Sequence, residues 1–231
     1  KDAGVEVFNA VNGQSVGFVS SAGVDFKESL VHARETGGQA LRKMTFHERA
    51  NMLKALAQHL MAQKEKFYEV SAWTGATRVD SWIDIEGGIG TLFAYSSLVR
   101  REFTNARFLV EGDPELLSKG GSFVGRHILV PKEGVAVHIN AFNFPCWGML
   151  EKIAPSLAAG MPVIVKPATV VRHGHRSIES VRTLVVVEVL VRPMVEQLVP
   201  VSEGTDCLAP GRHIRSSEWI LFDADTPIVL S

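Results

Sequence analysis

Two short polar runs in this 231-residue chain have the residue types for chemistry: Asn140-Ala141-Phe142-Asn143 and Lys166-Pro167-Ala168-Thr169. Each follows a short apolar segment. An amide N–H stabilises an oxyanion, and an ammonium pairs with a phosphate or a ribose. Taken singly, such residues have plainer roles: an Asn caps the next helix, and a lysine at a strand end is solvated. Cys146 lies three residues past Asn143 at a helix start, where a thiolate can be stabilised. A small buried thiol packing the helix is the simpler reading. His173, His175 and His213 have no carboxylate or cysteine partner at a ligand spacing, so the sequence nominates no metal site. Neither GxGxxG nor a Walker loop follows the first strand of this region.

The elements that must position the two runs form a crossover. Residues 134–139 read as a strand. Pro145 suits a first helical position, where its missing N–H costs nothing, and the helix runs through Trp147, Leu150, Ile153, Ala154 and Leu157. Gly160 closes it in the left-handed conformation, and residues 161–165 read as a short buried strand. Strand, helix, strand predicts a βαβ unit and hence a parallel, doubly wound α/β sheet. Ligands of such sheets bind beyond the carboxyl ends of the strands, where both polar runs emerge.

Upstream, residues 5–19 predict a hairpin around Asn12-Gly13, with a two-residue turn. Thr45 and Glu48 have capping-box spacing, ahead of a stripe of Met52, Leu53, Leu56, Leu60 and Met61. Phe67, Val70 and Trp73 predict a helix ending at Gly75. Ile85, Ile89, Leu92 and Val99 predict another after Asp80-Ser81. Residues 122–130 read as a strand joined through Pro131-Lys132-Glu133-Gly134 to the strand at 134–139.

Hydrophobic residues make up 46% and charged residues 21%, which excludes a disordered or fibrous chain. A net charge of −1 gives no global field to gather nucleic acid or an anionic membrane. Two cysteines, Cys146 and Cys207, make no disulfide framework, and a reducing cytoplasmic compartment is the default. The apolar run at 184–191 carries Glu188 and is too short for a bilayer. No signal peptide is visible. Because the chain opens on Lys1, it is expected to begin inside a longer product or after processing.

His138-Ile139-Asn140-Ala141-Phe142-Asn143-Phe144-Pro145, followed by Gly160-Met161-Pro162-Val163-Ile164-Val165-Lys166-Pro167-Ala168, resembles the aldehyde dehydrogenase superfamily. The likeness extends back to about residue 5. The phrases GATRVDSWIDIEGGIGTLFAYSSL and INAFNFPCWGMLEKIAPSLAAG are similar to one branch, the semialdehyde dehydrogenases of CoA-linked aromatic degradation. These include the dehydrogenase part of bifunctional phenylacetate-degradation enzymes, which join it to an oxepin-CoA hydrolase, and the enzymes of CoA-linked benzoate oxidation. The resemblance implies an aldehyde dehydrogenase-like α/β fold. In this chain that means an incomplete doubly wound, Rossmann-like parallel sheet with amino-terminal helices and a protruding strand hairpin.

The implied reaction oxidises an aldehyde to a carboxylic acid: a cysteine thiolate attacks, hydride passes to a nicotinamide cofactor, and a glutamate-activated water hydrolyses the thioester. Asn143 matches the family's oxyanion donor. Ile139, Asn140, Ala141, Phe142, Lys166, Ala168 and Thr169 match its cofactor-binding positions, Lys166 being the lysine of the adenosine ribose. Thr169 stands where many NAD-using members carry glutamate, which would repel a 2′-phosphate, so NADP is expected, with NAD as the alternative. The implied substrate is a small CoA-linked aldehyde. The complete protein is expected to be a homo-oligomer, with neither nucleic acid nor membrane as partner.

Cys146 does not match the nucleophile, which in this family lies far downstream. The likeness stops near Val171, without the family's Gly-rich turn. Residues 1–166 hold 10 Lys and 8 Arg; residues 167–231 hold no Lys and 6 Arg. Two parts are therefore expected. Residues 1–171 form the amino-terminal part of a cofactor-binding domain, including an oligomerisation hairpin. Residues 172–231 are a non-matching tail, as an out-of-frame reading of a GC-rich gene would produce. The alternative is a non-catalytic binding or assembly module built on the same scaffold.

Overall fold

The computed structural model describes residues 5–19, 24–166 and 220–221. Ala168, Thr169, the boundary near Val171, the three late histidines, the apolar run at 184–191 and all of the tail but Ile220–Leu221 lie outside the described residues.

The chain begins with an antiparallel hairpin, β1 (Val5–Phe8) and β2 (Ser15–Val19). Its turn is longer than the predicted two residues and occupies 9–14. A two-residue turn needs Asn12 and Gly13 both at positive φ. Among the described residues only glycines take positive φ, Gly13 at 73° among them. The Asn9 Oδ1 instead accepts from the Val11 and Asn12 N–H groups, at 2.8 and 3.3 Å.

Helices follow: α1 (Phe26–His32), which continues through a π turn into α2 (Gly38–Lys43), then α3 (Phe46–Ala62), α4 (Lys64–Ala72) and α5 (Arg78–Glu102). The predicted capping box is present: Thr45 accepts from the Glu48 N–H and Glu48 from the Thr45 N–H. Helix α5 begins before Asp80-Ser81, because the Thr77 hydroxyl caps it by accepting from the Asp80 N–H at 3.2 Å.

β3 (Leu109–Leu116) and β4 (Val124–Leu129) form a second antiparallel hairpin. The strand expected at 122–130 is β4, and residues 131–134 lie in its connection to the strand at Ala136–Ile139; its pairing partner β3 was not expected. β3 reads LVEGDPEL, and its Gly, Asp and Pro conceal a strand. An irregularity in register between Glu111 and Glu115 absorbs them, with Gly112 at φ 64°. This second hairpin is the protruding one. β1–β2 is docked, with Val7 fully buried and the Ala10 N–H donating to the Trp73 carbonyl. β3–β4 is exposed along almost its whole length.

The predicted crossover is β5 (Ala136–Ile139), α6 (Pro145–Ala158) and β6 (Val163–Lys166). β5 and β6 are parallel, from Ala136 opposite Val163 to Ile139 opposite Lys166. A short β7 (Ile220–Leu221) lies antiparallel to β6. Met149, Leu150, Ile153 and Leu157 of α6 are buried against Leu53, Leu56 and Leu60 of α3 and Ile85, Ile89 and Leu92 of α5. Each such side chain contributes about 1.5–3 kcal/mol by leaving water. No helix among the described residues is long and apolar enough to cross a membrane.

Gly87 and Gly88 let α5 and α6 meet closely. A Cβ on Gly88 would stand 2.9 Å from both the Cα and the backbone N of Trp147, where no flexible side chain can give way. Gly90, two residues on, faces open space. Gly88→Ala is expected to destabilise the chain by about 1–3 kcal/mol, and Gly90→Ala to stabilise it by about 0.5–1 kcal/mol. Urea denaturation of the two variants checks the contrast.

Candidate functional site

The site is organised by the two ends of α6. Pro145 has no N–H to offer, and Phe144 at the N-cap supplies no side-chain bond. The next two N–H groups, of Cys146 and Trp147, donate to the Asp84 carboxylate of α5 at 3.4 and 2.9 Å. Asp84 is 7% exposed. A carboxylate in this position satisfies orphan donors and opposes the helix dipole, an effect of up to about 2 kcal/mol when partly buried.

At the other end the guanidinium of Arg49, on α3, is fully buried. It donates to the Ala158 carbonyl at 2.8 Å, to the Leu41 carbonyl at 3.1 Å and to the Met44 carbonyl. Burial lowers its pKa from the usual arginine value. Helix α6 thus has a negative charge at its amino end and a positive one at its carboxyl end.

The first polar run leaves the sheet beside the second. The Asn140 N–H donates to the Lys166 carbonyl at 3.0 Å, which extends the β5–β6 ladder by one bond. Asn140 is buried, and its Oδ1 accepts from the Lys152 Nζ of α6 at 3.0 Å. Lys152 also donates to the Gly148 carbonyl. Ile139, Ala141, Phe142 and Asn143 are exposed at this rim. Lys166 is partly buried, which lowers its pKa. A cavity of about 390 Å³ beside the rim is lined by Ala141, Asn143, Phe144, Trp147 and Lys152, among others.

Cys146 is fully enclosed, and burial, then Asp84, push its thiol well above the usual cysteine value. That is the chemistry of a packing residue. His138 on β5 faces α6, with its Nε2 3.1 Å from the Ser156 Oγ. Ser156 donates its own proton to the Lys152 carbonyl, so His138 is the donor in that pair. Its Nδ1 is buried and has no partner among the described residues. Burial, then Lys152, lower the His138 pKa below 6.5.

Asp84, Arg49 and Lys152 are invisible to motif reading, since charged residues on amphipathic helices read as solvated. One signal was present. Arg49 shares the stripe of Phe46, Ala50 and Leu53, and Asp84 the stripe of Ser81, Gly88 and Leu92. A charge on a buried stripe must have a partner inside.

The aldehyde dehydrogenase family model matches residues 1–176. The chain belongs to the aldehyde dehydrogenase family. It is 42% identical over 167 residues to a 3,4-dehydroadipyl-CoA semialdehyde dehydrogenase of Aromatoleum evansii, an alignment covering 72% of this chain and 32% of that protein. The succinate-semialdehyde dehydrogenase of Burkholderia pseudomallei has the same fold, with a TM-score of 0.63 at 22% identity over 83% of this chain and 36% of its own. An NADP-dependent enzyme of E. coli matches with a TM-score of 0.62 at 21% identity, over 82% and 36% respectively. The chain spans about a third of the length of the relatives it matches. Members of the family use NAD or NADP.

His138 supplies a pH test of this geometry. The fold holds it neutral, so its folded pKa lies below the unfolded value. Between the two values the unfolded chain binds more protons, so its contribution to stability is complete above about pH 6.5 and is lost as pH falls through the folded pKa. Urea midpoints from pH 7.5 to 5 are expected to fall, and to fall less in His138→Gln.

Proposed function

We propose that this chain supplies the cofactor rim and oxyanion donor of an enzyme that oxidises a CoA-linked semialdehyde of aromatic degradation to its acid. The observation that carries this reading is the capping of α6 by Asp84. The plain role for Asn143 is to cap that helix, and Asp84 occupies the N–H groups such a cap would serve. Asn143 is instead exposed in the loop that follows β5, where it lines a cavity.

The residues fit a nicotinamide dinucleotide: a partly buried ammonium and an amide at the end of adjacent parallel strands suit a ligand rich in hydroxyls and phosphate. Lys166 would bind the adenosine ribose, with Ile139, Ala141, Phe142, Ala168 and Thr169 completing the rim above the buried Asn140. When bound, the cofactor accepts the hydride. Asn143 donates its side-chain N–H to the aldehyde oxygen as negative charge develops there. Thr169 in place of a glutamate favours NADP.

The nucleophile and general base come from beyond residues 1–171, which form the amino-terminal part of the cofactor-binding domain. The family match runs to residue 176, past the expected boundary, and residues 177–231 form the tail beyond it. A cytoplasmic homo-oligomer goes with this reading. The exposed β3–β4 hairpin, with Leu116 71%, Phe123 63% and Val130 68% exposed, supports assembly through that element. The same hairpin supports the second reading, a non-catalytic assembly module.

In the complete enzyme, Asn143→Ala is expected to lower kcat by about 100- to 1,000-fold with little loss of cofactor affinity. Steady-state kinetics and cofactor titration check this, and an unchanged kcat removes Asn143 from the site. Thr169→Glu is expected to shift preference from NADP toward NAD by setting a like charge against the 2′-phosphate. Competitive binding titrations of the two cofactors measure the shift.

A further inference from the structure

Asn140 joins three elements at the rim. Its backbone N–H donates to the Lys166 carbonyl at 3.0 Å, its side-chain oxygen accepts from Lys152 of α6 at 3.0 Å, and its own carbonyl begins the loop to Asn143. The residue is 7% exposed, and its Nδ2 is buried without a partner among the described residues. For folding alone this is a poor choice. A leucine of nearly the same shape would fill the space and leave no N–H unsatisfied. Lys152 would keep its bond to the Gly148 carbonyl and its partial access to water. What an amide adds at this position is the oxygen that Lys152 holds.

We propose that Asn140 is a positioning residue: clamped by Lys152, it sets the loop that presents Asn143, and it acts through Asn143 rather than by touching cofactor or substrate. This rests on the reading of Asn143 as the oxyanion donor. The ammonium sits on α6, whose amino end is fixed by Asp84 and whose carboxyl end is fixed by Arg49. The clamp therefore ties the loop to a helix that is held at both ends. Displacing a donor by about 1 Å costs on the order of 100-fold in rate, so a single bond at the base of the loop is enough to matter.

The test uses the complete enzyme with the variants Asn140→Leu, Asn140→Asp and Lys152→Met. Asn140→Leu is expected to lower kcat by about 10- to 100-fold, with the aldehyde KM and the melting temperature unchanged or the latter raised. Asn140→Asp keeps the acceptor and restores most of the loss. Lys152→Met repeats the Leu effect from the other side of the bond. Because Asn140 acts through Asn143, Asn140→Leu combined with Asn143→Ala is no slower than Asn143→Ala alone. Amide exchange at 141–144 in the 231-residue chain, a readout independent of activity, is faster in Asn140→Leu and returns to normal in Asn140→Asp. An unchanged kcat in Asn140→Leu, a failed rescue by Asp, or losses that multiply in the double variant would overturn the proposal. If Asn143→Ala itself leaves kcat unchanged, the reading of the site has failed instead.

Discussion

Helix α6 is held at both ends by buried charges from other helices, and the rest of the structure depends on that arrangement. Asp84 of α5 takes the Cys146 and Trp147 N–H groups, and Arg49 of α3 takes the Ala158 carbonyl. Each charge opposes the partial charge of the helix end that it meets. Neither is expendable in such surroundings, because removing either partner leaves the other buried and unpaired. The packing follows from the same contacts. For Asp84 to reach the amino end of α6, α5 must come close, and Gly87 and Gly88 remove the side chains that would prevent it.

The consequence for function is an order of dependence. Helix α6 is fixed first, by charge and by the burial of Met149, Leu150, Ile153 and Leu157. Through Lys152 it then fixes Asn140, and through the ladder bond from Asn140 the end of β5 is tied to the end of β6. The polar runs at 140–143 and 166–169 begin at that junction. Asn140 and Lys166 are thereby joined through their backbones at the rim where parallel sheets of this kind bind ligands.

The sequence made the rim legible and its supports illegible. The crossover could be read because Pro145, Gly160 and the apolar periodicity are local signals with local causes. The capping box of Thr45 and Glu48 was legible for the same reason. β3 was missed because Gly112, Asp113 and Pro114 contradict a strand locally, and only pairing with β4 overrides them. The turn at Asn12-Gly13 was read too short because Asn9, outside the dipeptide, governs it. Asp84, Arg49 and Lys152 act on residues far away in the chain, and no spacing rule reports a bond between Asp84 and Trp147.

The central claim is that Asn143 and Lys166 face one ligand site, with Asn143 on the reacting oxygen. A crystal structure of the complete enzyme, trapped with NADP and an aldehyde adduct, measures this directly. The account predicts that the Asn143 side-chain N–H lies within hydrogen-bonding distance of the aldehyde-derived oxygen while the Lys166 ammonium bonds the adenosine ribose. An adduct oxygen held by other donors, with Asn143 turned onto the N–H groups of α6 in place of Asp84, would contradict it.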